Sequence, residues 1–158
     1  MEEFDIAIIG GGPAGIMAAI AASADLNVVL LEKNSSLGSK LLITGGGRCN
    51  ITNEKPIKKL LNSFHDKNFL KHSFYTFTNE MLLDLFRNRG LDFIVEDNNR
   101  VFPETEKSQD ILAILKYYLK DITIKYNYEV SDIKKEDNFI INNDIIAEKV
   151  IIATGGAT

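Results

Sequence analysis

An α/β fold with a parallel sheet, flanking helices and a small antiparallel β-meander is predicted from three stretches at the start of the chain. Residues 4–9 are a short, almost unbroken apolar run with β-branched isoleucines, residues 13–24 are apolar and alanine-rich, and residues 27–31 are a second short apolar run. Apolar runs of that length without polar alternation describe strands buried on both faces, as in a sheet covered by helices. Strand, helix, strand in that order is the crossover unit from which parallel sheets are assembled.

The turn between the first strand and the helix carries a specific chemistry. Gly10, Gly12 and Gly15 fit G-x-G-x-x-G. In that pattern the first glycine makes the tight turn, the second lets backbone approach a pyrophosphate, and the third lets the helix lie close to the strand. A Cβ is expected to obstruct all three positions. Pro13 suits the first helical turn, where an amide hydrogen is dispensable, and the helix N-terminus directs its amides and positive dipole end toward the phosphates. Glu32 ends the second strand, where a carboxylate accepts hydrogen bonds from ribose hydroxyls and repels a 2′-phosphate. A lone G-x-G-x-x-G is also compatible with a flexible turn; the flanking strand, helix, strand and acid make this one a Rossmann-like dinucleotide cradle.

The remaining elements follow in order. Residues 34–53 form a polar, glycine-rich stretch with Gly45, Gly46 and Gly47 in succession, too long for a plain connector and partly packed through Leu41, Leu42 and Ile43. Residues 56–64 and 67–77 read as short helices whose Phe69, Phe74 and Phe77 supply core. Asn79 is expected to cap a helix over 80–89 that stops at Gly90. Residues 91–96 and 100–102 flank Asp97, Asn98 and Asn99 as a hairpin, because Asn tolerates the positive φ of such a turn. A helix opening at Lys107 or Ser108 runs to 120, with Ile111, Leu112, Leu115 and Leu119 on one face. Residues 122–126 form a third sheet strand, 130–135 and 139–141 a meander, and 148–153 a last apolar strand entering Thr154, Gly155 and Gly156.

Composition narrows the function. At 158 residues, 45% hydrophobic and 25% charged, the chain can bury one ordinary core. A net charge of −4 with scattered basic residues gives no phosphate-backbone surface, so no nucleic-acid partner is expected. The uncharged stretch 6–22 is interrupted by glycines and proline and preceded by acids, which predicts no membrane span and a cytoplasmic protein. Cys49 is the single cysteine, so no internal disulfide is possible, and a lone thiol reads as a buried hydrophobe. His65 and His72 lack the Cys, Asp or Glu partners of a metal set, so no metal is expected. Lys58 with Lys59, and Lys134 with Lys135, are too short to be binding patches.

Four segments read together carry a family resemblance: GGGPAGIMAA, GSKLLITGGGRCNITN, RVFPETEKSQDIL and VIIATGG. The chain resembles the amino-terminal part of bacterial BaiN-type, or aminoacetone-oxidase-like, FAD-dependent oxidoreductases of the glutathione-reductase superfamily. The resemblance covers all of 1–158 as one FAD-binding domain and implies a fragment, with a substrate-side domain and a C-terminal FAD segment lying beyond it. It places FAD pyrophosphate on Gly10, Gly12, Pro13, Ala14 and Gly15, and the adenosine ribose on Glu32 with Lys33 adjacent. It sets Lys40, Thr44, Gly46, Arg48, Cys49 and Asn50 along the flavin side, Val130 at the adenine through its backbone, and Thr154 and Gly155 in the turn that closes over the cofactor. No catalytic residue is assigned.

The function expected from the resemblance is electron-pair or hydride transfer through FAD, with NAD(P)H as a co-substrate of the full-length protein and an unidentified small molecule as substrate. The alternatives are a non-catalytic nucleotide-binding module that self-associates through the face left by missing domains, and a relative of the flavin-dependent tRNA-modifying enzymes.

Overall fold

The computed structural model describes residues 1–156. In chain order the elements are β1 (Glu2–Ile9), α1 (Pro13–Ala22), β2 (Val28–Leu31), α2 (Ser39–Ile43), β3 (Thr52–Asn53), α3 (Ile57–Leu61), α4 (Lys67–Thr76), α5 (Asn79–Arg87), β4 (Phe93–Glu96), β5 (Arg100–Pro103), α6 (Ser108–Tyr118), β6 (Thr123–Lys125), β7 (Ile133–Lys135), β8 (Phe139–Ile141) and β9 (Ile145–Ile152). Two compact units emerge, Met1–Leu41 with the chain from Leu115 onward, and Leu42–Ile114.

The first unit is a six-stranded sheet in the order β6-β2-β1-β9-β8-β7. Its centre is parallel: β2 and β9 flank β1, and β6 lies beyond β2. All four residues of β2, and Ile6, Ala7, Ile8 and Ile9 of β1, are buried, as the unbroken apolar runs predict for strands covered on both faces. The antiparallel part is β7, β8 and β9. Here β9 itself completes the meander, starting at Ile145 and not at 148. The change follows from Asn142 and Asn143, whose φ values of 49° and 58° turn the chain back at once. Two successive left-handed asparagines match the twist of a tight hairpin.

Helix α1 buries Gly15, Ile16 and Ala19. A Cβ on Gly15 would lie 1.9 Å from the Gly10 carbonyl oxygen, and one on Gly10, at φ +109°, would lie 2.5 Å from the Ala153 carbonyl oxygen. Those two glycines are demanded by the fold. Gly12 is not, contrary to the expectation from the motif: a Cβ there would meet nothing within 4 Å, and its φ of −79° suits any residue.

The second unit holds a three-stranded antiparallel sheet, β3-β5-β4, whose hairpin turn carries Asn98 and Asn99 at φ 63° and 59°. Its core gathers Leu83 and Phe86 from α5 with Val101, Phe102 and Ile111. Thr78, not Asn79, caps α5: its hydroxyl accepts from the Met81 amide at 3.2 Å. Thr78 is extended while Asn79 is already helical and donates its side-chain amide to the Asn53 and Lys55 carbonyls. Helix α5 ends, as expected, before Gly90 at φ +80°. The aromatic series on α4 is not core: no α4 residue is buried, and Phe69 is 79% exposed. Phe69 and Phe74 are five residues apart, about 140° around a helix, so they cannot share one buried face; Phe74 instead packs on Phe64 at 5.3 Å.

Replacing Gly15 by Ala is expected to destabilise the protein by about 3 kcal/mol or more through overpacking, whereas Gly12→Ala stays within about 1 kcal/mol. Urea unfolding followed by circular dichroism measures both.

Candidate functional site

A cleft of about 520 Å³ opens in the first unit at the carboxyl ends of β1, β2 and β9. That is the place where strand order reverses about β1, and open α/β sheets bind ligands at such a point. Its base is the Gly10–Gly11–Gly12 turn with Pro13 and Ala14 of α1; Glu32, Lys33 and Asn34 form one wall, Tyr128 and Val130 another, and Lys40, Thr154 and Gly155 line the remainder. Ten of the residues assigned from the sequence therefore meet at one cavity. Gly15 lies beneath it, holding α1 against the turn.

The helix terminus at the base is electrostatically open. Gly12 caps α1 without any side-chain hydrogen bond, Pro13 follows, and no acidic residue occupies the first turn. The leading amides of α1 and its positive dipole end thus remain available to an anion, and the empty space at Gly12 leaves room for one against the backbone. Lys33 and Lys40 add positive charge to the lining, and Lys40 Nζ donates to the Gly156 carbonyl at 3.3 Å.

Glu32 is 7% exposed, and three hydrogen bonds orient its carboxylate. Oε2 accepts from the Gly11 amide at 2.7 Å, and Oε1 from the Asn34 backbone and side-chain amides at 2.7 and 2.6 Å. A carboxylate offers about four acceptor sites, so capacity for a further donor remains. The reading from sequence missed Gly11. A Cβ there would lie 2.4 Å from Leu37 Cδ2 and 2.7 Å from the Glu32 oxygen, and the Gly11 carbonyl accepts from the Gly38 amide at 2.9 Å. Its signal was the middle glycine of three in a row, hidden in a variable position of the motif.

Tyr128 was missed as well. Its amide donates to the Glu32 carbonyl at 2.9 Å and its hydroxyl donates to Asp144. Burial first, and the Asp144 carboxylate second, push the phenol up to about 12 from 10.0.

The other assigned residues belong to the second unit. Thr44, Gly46 and Asn50 are exposed; Gly46, at φ +69°, has open space around it, whereas Gly45, at φ +57°, approaches the Asn50 amide and Phe102. Arg48 pairs with Glu96 at 2.5 Å and Glu106 at 3.0 Å, and its guanidinium lies 4.2 Å from the centre of the Phe102 ring. Its charge is thereby matched locally, and the bonds to Glu96 and Glu106 hold its pKa above the ordinary arginine value. Cys49 is 4% exposed with φ 63°. Burial pushes its thiol up, against a smaller opposing effect of a hydrogen bond with Thr44, so it has the character of an inert thiol. Among the described residues no group of three or more His, Cys, Asp or Glu could hold a metal, and no helix is long and apolar enough to cross a membrane.

Parallel sheet, glycine turn, open helix terminus and carboxylate wall define a Rossmann-type dinucleotide-binding domain. The chain belongs to the HI0933-like family, matching the HI0933-like protein Rossmann domain over residues 4–158. It is 33% identical over 160 residues to the 3-dehydro-bile acid delta(4,6)-reductase of Clostridium scindens, covering 96% of this chain and 39% of that protein. With the ribosomal RNA dihydrouridine synthase of Escherichia coli it shares 31% identity over 164 residues, covering 99% of this chain and 40% of the relative. Among solved structures, a flavocytochrome c3 fumarate reductase superposes with a TM-score of 0.70 at 21% identity, covering 98% of this chain and 34% of that one. The 3-ketosteroid-delta4-(5alpha)-dehydrogenase of Rhodococcus jostii RHA1 also gives 0.70, at 15% identity over 98% of this chain and 46% of its own. The chain thus spans about two fifths of the length of these two curated relatives.

Tyr128 ionises at 10.0 when unfolded and at about 12 when folded, so its contribution to stability is full below pH 10 and is lost as pH rises toward 12. Urea unfolding at successive pH values is expected to show that decline in the wild type and a weaker one in Tyr128→Phe. Cys49 is expected to react with a disulfide dye at pH 7 at least about 100-fold more slowly in the folded protein than in denaturant, read from absorbance.

Proposed function

We propose that this chain holds FAD by its ADP half and serves as the flavin-binding part of an oxidoreductase. The observation that carries the reading is Gly12. Neither backbone conformation nor packing requires a glycine there, yet it caps an α1 terminus free of side-chain caps at the base of the cleft. A diphosphate explains the missing Cβ, since it needs backbone within hydrogen-bonding reach. Glu32 would take the adenosine ribose diol, favouring a nucleotide without a 2′-phosphate, and Lys33 and Lys40 would offset phosphate charge. Bound FAD supplies two-electron chemistry, and the protein contributes binding, orientation and local electrostatics.

The two curated relatives support a common reaction class. Reduction of a steroid delta(4,6) system and of uridine to dihydrouridine both saturate a carbon–carbon double bond conjugated to a carbonyl. We extend that class to this protein, with NAD(P)H as the proposed reductant and the cytoplasm as its place of action.

A second reading, an RNA substrate, has one surface in its favour. Helix α4 exposes Lys67, Lys71 and Tyr75 at successive four-residue spacings along one side, a pairing of cations with an aromatic face suited to single-stranded nucleic acid. Binding of a uridine-rich oligonucleotide that weakens steeply between 50 and about 200 mM salt supports it; binding indifferent to salt, or none, removes it.

Titration calorimetry with FAD tests the first reading. The wild type is expected to bind; Gly12→Ala and Glu32→Arg are each expected to weaken binding at least about 10-fold, with the fold retained by circular dichroism. Unchanged affinity in both variants overturns the assignment.

A further inference from the structure

The Tyr128 wall of the cleft is held from outside it. Residues 128–132 make no strand, yet their backbone is tied at nearly every step to the turn between β8 and β9. Asn142 Oδ1 accepts from the Ser131 amide at 3.0 Å, the Ser131 hydroxyl at 3.2 Å and the Asp132 amide at 3.1 Å. Its Nδ2 donates to the Glu129 carbonyl at 2.8 Å, and its own amide donates to the Asp132 carbonyl at 3.0 Å. Two residues on, Asp144 accepts from the Tyr128 hydroxyl. Between these ties sits Val130. It lines the cleft, and among the described residues its amide and carbonyl have no hydrogen-bonding partner.

We infer that Asn142, helped by Asp144, is a positioning residue that holds the Val130 amide and carbonyl ready to read the edge of an adenine base. The inference rests on the proposed binding of the ADP half of FAD and deepens it. A base attached to a ribose held by Glu32 must lie beside the Glu32 wall, and Tyr128 joins the two walls through its amide bond to the Glu32 carbonyl. Adenine presents an acceptor at N1 and a donor at the 6-amino group, which complement one amide and one carbonyl. Hypoxanthine presents the reverse pair, a donor at N1 and an acceptor at C6. A backbone pair discriminates between the two bases only if it cannot rotate, and Asn142 supplies that constraint by engaging the residues on either side of Val130. Asn142 itself has φ 49°, so a glycine keeps the turn while deleting the clamp.

The test is titration calorimetry of the whole chain with ADP and with IDP. The wild type is expected to prefer ADP at least about 10-fold, Asn142→Gly to bind both within about 3-fold, and Asn142→Asp, which keeps the acceptor, to recover most of the preference. A merely structural Asn142 would lower the melting temperature and leave the ADP-to-IDP ratio unchanged; that result overturns the inference. Wild type that binds ADP without preference overturns the inference alone, whereas wild type that binds neither nucleotide overturns the FAD reading and this one with it. Should Asn142→Gly fail to fold, Tyr128→Phe carries the test: a reduced ratio supports the clamp and an unchanged ratio overturns it.

Discussion

Three backbones converge on Gly10, and the site depends on their doing so. The Gly10 carbonyl lies where a Cβ of Gly15 would have to go, and the Ala153 carbonyl lies where a Cβ of Gly10 would have to go. The Gly10 amide meanwhile donates to the Leu31 carbonyl and the Ala153 amide to the Ile9 carbonyl, each at 2.8 Å. Helix α1, the end of β2 and the end of β9 are thereby drawn to one point at the carboxyl edge of the sheet. The cleft is the space that remains above that point.

Glu32 couples the two halves of that cleft. Because its carboxylate is clamped by Gly11 and Asn34, the acid is part of the glycine turn as much as of the strand that carries it. The bonded N–H groups fix its direction. A carboxylate wall thus stands beside the uncapped, positive terminus of α1.

The second unit has a different character. Arg48, the most conspicuous cation of the glycine-rich stretch, is engaged by Glu96 and Glu106 and lies on Phe102, joining the turn after α2 to the hairpin and to the turn before α6. Gly45 fits against Phe102 and the Asn50 amide for reasons of packing. The T-G-G-G-R-C-N stretch therefore has a local structural role of its own.

Much of this was legible in the residues alone. The parallel core, the glycine turn, α1 and the acid at the end of β2 were readable because each depends on near neighbours: apolar runs, a turn that excludes Cβ, and a strand that ends in a carboxylate. The hairpin over Asp97, Asn98 and Asn99 was readable for the same reason. Features that depend on residues distant along the chain were not. Thr78 displaced Asn79 as the cap of α5 because the Asn79 side chain is drawn to carbonyls near β3. The α4 aromatics spread around their helix, a matter of angle that a count of apolar residues conceals. Gly11, Tyr128 and Asn142 take their importance from partners 10 to 21 positions away, as between Asn142 and Asp132, Tyr128 and Asp144, or Gly11 and Glu32. By itself, then, the amino-acid order determined the class of fold and the presence of a dinucleotide cradle, since local sterics suffice for both. Only the tertiary structure decided which glycines packing requires and which it leaves open, and which side chains hold the walls of the cleft, because those answers are distances between segments that meet only when the sheet closes.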